Sequence, residues 1–319
     1  MTEGSIAAHP GTVQRPDRRG ELIGTLLVLG SAAGFALSGT LSRLAGRDGM
    51  GPIDFLALRA VVCTVALAAV LLPLLLTGAV RWPRRDEVSR RDRLALVAVS
   101  INTALLNLFL FLAFARTAVG IVVICFYIYP GLVALAAVRI LGEPLDRRRA
   151  GALLLGFGGL ALVLIPSLMG AGVRVDPLGV ALGLAAAVLQ TGSMLFVGRG
   201  FGGVPVTVSA LAINGASMLA YIALVLIVGS ASVFTTVPGV RISTELVIAG
   251  VFGAALPSLL SLRGVRTIGA ARAAILMMLE AVVSVTLAAI VLSEQLAPIQ
   301  VLGGAAVLLA GAILQLRDT

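Results

Sequence analysis

Long apolar runs separated by short arginine clusters occupy nearly all of the chain from residue 22 onward. Charge-free stretches cover residues 22–42, 60–80, 94–114, 119–138, 150–173 and 178–198. Residues 200–240 are also uncharged, too long a run for one helix. Their 205–228 part reads as a span, and the Ser, Thr, Pro and Gly from Gly229 onward read as a loop. Runs at 246–262, 270–292 and 298–316 complete the series, the second carrying a single acid, Glu280. A bilayer core about 30 Å thick takes about 20 helical residues to cross. The runs are continuously apolar, without the two-residue alternation of barrel strands. The pattern predicts an all-α integral membrane protein with ten transmembrane helices.

Composition removes the soluble alternative. Of 319 residues 59% are hydrophobic and 12% charged, with a mean hydropathy of +1.08, and a soluble domain needs far more polar surface. The formal charge of +9 raises nucleic acid as a partner. However, the 24 basic residues, all arginine, fall in short clusters between apolar runs, as in membrane-protein loops. No nucleic-acid partner is expected. With the N-terminus in the cytoplasm, the inner segments hold 18 arginines and the outer ones five: Arg43, Arg47, Arg116, Arg174 and Arg241. Arg59 lies within span 2. This bias predicts a multi-pass protein of the plasma (cell inner) membrane with both termini cytoplasmic. Residues 1–20 lack apolar periodicity and a cleavable leader pattern, and are expected to form a disordered tail. The only histidine, His9, falls there, which removes most histidine-dependent catalysis. Cys63 and Cys125 sit alone inside apolar runs and read as packing residues. No metal or cofactor is implied.

The chain echoes itself. Ala115-Arg116-Thr117-Ala118-Val119-Gly120 precedes an apolar span and then Leu141-Gly142-Glu143-Pro144-Leu145. Val265-Arg266-Thr267-Ile268-Gly269-Ala270 precedes another and then Leu292-Ser293-Glu294-Gln295-Leu296. Gly151 and Gly159 match Gly303 and Gly311 in the same order. Residues 21–170 and 175–317 thus read as two copies of a five-span unit. Five is odd, so the second copy is expected to lie inverted. Arginine counts in the equivalent loops reverse accordingly, except in the first connection. Two inverted copies can rock about a central site and open it to each side in turn.

These blocks resemble the EamA repeat of the drug/metabolite transporter superfamily. So do Gly34-Phe35-Ala36-Leu37-Ser38-Gly39 in span 1 and Tyr129-Pro130-Gly131 in span 4. The likeness runs from about residue 22 to 316. It implies a ten-helix inverted-repeat bundle that moves small metabolites, often amino acids or related compounds, usually outward. The chain departs from the family where Glu280-Ala281 replaces a frequent Glu-Pro pair.

Candidate site residues are the polar groups inside apolar spans. Glu280 sits mid-span, where a charge costs about 2.5–3.5 kcal/mol on insertion scales. It must face a partner or a wet cavity, as a structural acid or as a substrate or proton site. Arg59 either snorkels or pairs with Asp54, or else grips a substrate carboxylate. With Glu280 it would clasp a zwitterion. Asn102, Asn107, Gln190 and Asn214 are interhelical glue by default, with one or two of them touching substrate. Tyr127 and Tyr129, two apart on a helix, should face different ways; Tyr129 is the candidate. Pro130 should bend span 4. Glu143 and Glu294 are placed to cap the following helices, with Asp146 sharing the task in the first copy. The glycine series read as packing stripes.

An alternating-access exporter of small metabolites, with protons as a candidate coupling ion, is the leading expectation. A proton-coupled exporter of cationic drugs is the nearer rival, and a membrane-embedded enzyme the remote one. Enzymes of that kind need clustered acids, His or Cys, and the acidic pairs here lie among loop arginines.

Overall fold

The computed structural model describes residues 18–117, 119–140, 146–168, 175–201, 203–228, 239–292 and 297–314. Every regular element among them is helical. The first half of the chain supplies α1 (Arg18–Arg47), α2 (Pro52–Leu76), α3 (Arg90–Arg116), α4 (Val119–Phe126), α5 (Tyr129–Ile140) and α6 (Arg147–Leu168). The second supplies α7 (Pro177–Arg199), α8 (Val206–Val228), α9 (Val240–Gly250), α10 (Leu256–Ile268), α11 (Ala270–Leu276), α12 (Leu279–Leu292) and α13 (Pro298–Ile313). A π-helical turn, Val251–Ala255, joins α9 to α10. Nine helical segments of the described residues are long and apolar enough to cross a membrane, and α13 is apolar but shorter. The chain is a multi-pass helical membrane protein. Its surface agrees, because large aliphatics such as Leu154, Ile227 and Ile290 point outward, while alanine and glycine fill much of the interior.

Local chemistry fixes many helix ends. Ser89 accepts from the Asp92 N–H at 3.0 Å and opens α3. Pro52, Pro177 and Pro298 each stand at the first helical position, where a missing N–H costs nothing. Gly200 and Gly269, at φ +73° and +85°, close α7 and α10 in a conformation that other residues seldom adopt. Glu143 and Glu294, the expected caps, lie outside the described residues. Asp146 accepts from the Arg149 N–H at 2.8 Å at the start of α6. Ahead of α13, the Gln300 side chain accepts from the Ala297 N–H at 3.0 Å.

Several spans differ from the hydropathy pattern. Residues 18–20 already belong to α1 rather than to a tail; the first turn is exposed, so its charges do not oppose helix. The eighth span starts at Val240 instead of 246, because Arg241 pairs with Glu245 at 3.3 Å and brings that acid inside. The ninth span is broken at Met277–Met278, with no proline to break it. There the Glu280 and Ala281 N–H groups bond three residues back, to Met277 and Met278, a tighter winding than the α-helix. The fourth span is broken too, at Tyr127–Ile128, just ahead of Pro130.

The helices pair across the two halves of the chain. α1 packs on α10 and α3 on α7; α1 also meets α12, as α7 meets α4 and α5. α2 packs on α8, α5 on α11, and α6 on α13. The last pair is the tightest. A Cβ on Gly159 would lie 2.6 Å from the Gly303 carbonyl oxygen, and one on Gly303 would lie 2.5 Å from that of Gly159.

The Arg-Thr blocks prove to be corner ties. Thr117 Oγ1 accepts from the Asp176 N–H at 2.9 Å, and Arg116 reaches the Asp176 carboxylate at 3.3 Å. Asp176 in turn caps α7 through the N–H groups of Leu178 and Gly179. Arg266, in the second copy, donates to Ser209 Oγ at 3.0 Å and lies 5.0 Å over the Phe201 ring. The Gly179 N–H, then that of Leu178 and the Arg116 guanidinium, hold the Asp176 carboxyl below its ordinary value of 3.8. A depressed folded-state value means that the tie stabilises above pH 3.8 and fades as pH falls through the lowered value. The thermal midpoint of Asp176→Asn should therefore trail that of the wild-type protein in detergent at pH 6, and the gap should close on acidification. A gap that is constant with pH would refute the ionic part of the tie.

Candidate functional site

The two broken spans meet near the middle of the bundle. Tyr127 stands in the break of span 4, beside Glu280 in the first turn of α12. The rings of Phe126, Tyr127 and Tyr129 pack together, with centroids 5.1–5.9 Å apart. Both tyrosines are buried. Because the helix is interrupted between them, the rule that residues two apart face different ways does not apply. Tyr127 and Tyr129 both lie close to Glu280. Glu280 is half-buried. It also sits at a helix N-terminus, where the backbone dipole favours a carboxylate. Pro130 occupies the matching place at the start of α5.

A second polar group gathers around Arg59. Its Nη1 donates to Ser38 Oγ at 2.9 Å, joining α2 to α1. The expected pairing with Asp54 does not form. Arg59 and Glu280 make no direct ion pair, and the polar groups beside Arg59 are Ser38, Cys63 and Tyr221. The Tyr221 hydroxyl donates to the Ala104 carbonyl at 3.2 Å and lies within reach of Ser217 and Asn107.

The remaining candidates divide. Asn214 is fully engaged, donating to the Ala210 carbonyl and to Ser258 Oγ while accepting from Cys63 Sγ; it holds α8 against α2 and α10. Asn107 donates to the Thr103 carbonyl of its own helix. Asn102 faces Gly192 of α7, whose missing Cβ would lie 3.1 Å from the amide nitrogen. Gln190 lies on the inward stripe of α7 with Ala187 and Met194 and is half-buried. The apolar window left out Glu245, which is buried between α9 and the end of α1. Arg241 there contacts both Glu245 and Asp48, at 3.3 and 3.2 Å. An open groove of about 280 Å³ between α6, α12 and α13 is lined by aliphatic residues with Thr286 and Gln300. It holds neither Glu280 nor Arg59.

Polar and charged groups enclosed by apolar helices, with two spans broken in mid-course, define a membrane transporter. The model of the EamA-like transporter family matches residues 22–165 and again 177–316. The chain belongs to this family, and thereby to the drug/metabolite transporter superfamily. A solved crystal structure is similar with a TM-score of 0.70 at 18% identity, covering 92% of this chain and 97% of the other, which shows a shared fold. No curated protein matches at a significant level.

Proposed function

We propose that the protein is an alternating-access transporter that exports small metabolites across the plasma membrane, with both termini in the cytoplasm and ten spans arranged as two inverted repeats, 21–170 and 175–317. The observation that carries this reading is the meeting of the two broken spans at Tyr127 and Glu280. Half-helix ends inside a bundle present backbone dipoles and unpaired groups to a solute, as in other inverted-repeat transporters. The helix contacts support the inversion. Exchanging the first five segments for the second five turns the α1–α10 contact into α7–α3 and α1–α12 into α7–α5, and returns α2–α8 and α6–α13 to themselves. A two-fold axis through the bundle has that property, and with five spans per copy such an axis lies in the membrane plane.

In this scheme the solute path runs past Glu280, Tyr127, Tyr129 and Arg59, with Gln190 and Asn102 as further wall residues. Asn107 and Asn214 brace it. Glu280 is the coupling site for protons. Amino acids and related compounds are the class that the family resemblance implies. Export of cationic drugs remains the second reading, because a lone acid at the centre suits it; Arg59 on the same path opposes it. Topology is testable with single cysteines. Glu87→Cys and Arg263→Cys should react with a membrane-impermeant maleimide from one face, and Arg47→Cys and Val240→Cys from the other. Labelling of residues 87 and 263 from opposite faces would sink the inverted arrangement.

A further inference from the structure

Arg59 is only half-buried within the bundle, so the surrounding helices do not seal it off completely. Ser38 takes one of its five N–H groups. The titratable groups beside it are the Cys63 thiol and the Tyr221 phenol, neither of them a carboxylate. No carboxylate among the described residues balances its charge. A buried cation is normally paired, because removal from water is costly without a counter-charge. Its surroundings are nonetheless built. Ser38 fixes one edge, and Tyr221 stands beside it, held by the Ala104 carbonyl and by Asn107 and Ser217.

We infer that Arg59, positioned by Ser38, forms an anion subsite on the solute path that binds the carboxylate of the transported molecule. The free edge of the guanidinium presents two parallel N–H groups, which match a planar carboxylate. One cation balances one negative charge, so a dianionic phosphate would remain half unpaired. Arg59 bonds Ser38 and makes no ion pair with Glu280. The subsite therefore selects by itself, without needing an amino group on the ligand. 2-Oxo acids should bind as well as amino acids, and lipophilic monocations should be refused.

This inference rests on the transport reading, and its test separates the two. The full-length protein in detergent is titrated with a mixture of amino acids, the corresponding 2-oxo acids, the corresponding amino-acid amides, and glycerol 3-phosphate, with the thermal midpoint as the readout. Both acid sets should raise the midpoint; the amides and the phosphate should not. Arg59→Gln should raise the half-saturating concentration of the acids at least about tenfold. Ser38→Ala, which keeps the charge and loosens its aim, should do so by roughly threefold to tenfold. Equal stabilisation by amides, preference for the phosphate, or an unaltered response in Arg59→Gln overturns the subsite. Should Arg59→Gln fail to fold, the ligand ranking of the wild-type protein and the Ser38→Ala shift decide. In proteoliposomes, carboxylate binding without movement would overturn transport and leave the subsite standing. Movement of amides or cations at rates insensitive to Ser38→Ala would do the reverse.

Discussion

Glu280→Gln is expected to reduce transport to about a hundredth of the wild-type rate while leaving the amount of folded protein unchanged. Glutamine keeps the shape of the side chain beside Tyr127, so the junction of the two broken spans should hold. What disappears is the charge, or the proton that replaces it. A charge at this depth costs about 2.5–3.5 kcal/mol to insert, which marks Glu280 as a group kept for function, and a loss of about two decades is the scale expected when such a group is removed. An uncharged residue also inserts more easily, so expression should not suffer. Tyr127→Phe gives a graded comparison. It retains the ring packing against Phe126 and Tyr129, removes the hydroxyl beside Glu280, and should cost roughly threefold to tenfold. Uptake or efflux measured in reconstituted vesicles decides; a Glu280→Gln protein that transports normally removes Glu280 from the mechanism.

The second large effect concerns assembly. Gly303→Val should abolish the folded protein or lower its stability by about 3 kcal/mol, the upper end of ordinary overpacking. The obstacle to a Cβ at 303 is the backbone of α6, at the Gly159 oxygen and the Val163 nitrogen, and backbone cannot change rotamer. Gly159→Val should behave alike, and no side-chain replacement on the partner helix should rescue either. Gly158, one residue away, has open space where its Cβ would stand. Gly158→Ala should be neutral or stabilising by about 0.5–1 kcal/mol, since alanine is the better helix former. Thermal midpoints from size-exclusion profiles in detergent test the contrast. If the 158 and 303 substitutions behave the same way, the close contact of α6 and α13 is wrong.

Some of the candidate site was legible from residue chemistry alone. Glu280 stands out as the lone acid in a run of apolar residues, and Arg59 as the lone base in another. Tyr127 was passed over because a regular helix would turn it away from Tyr129. Glu245 was passed over because a search for charge-free windows stops short of it, whereas Arg241 neutralises it within the same helix. Ser38 lay in plain view in the Gly34–Gly39 block, but nothing in one helix shows that it faces an arginine 21 residues later across the bundle.

The order of apolar runs and arginine clusters was enough to specify a helical protein threaded repeatedly through a bilayer, because each crossing is a local contest between hydrocarbon and water. The Arg-Thr blocks likewise exposed the internal duplication, since the same pattern closes span 3 and span 8. The break in span 9 was different: nothing at Met277 or Met278 forbids a continuous helix. There, Ser31 of α1 donates to Met277 Sδ at 3.3 Å and Gly156 of α6 makes room for Met278. Which buried charge is paired, and which stands alone, was settled in the same way. Arg59 turns to Ser38 and Glu280 sits beside Tyr127 because helices distant in sequence bring those partners together, and such a contact depends on distance in space, not on spacing along the chain.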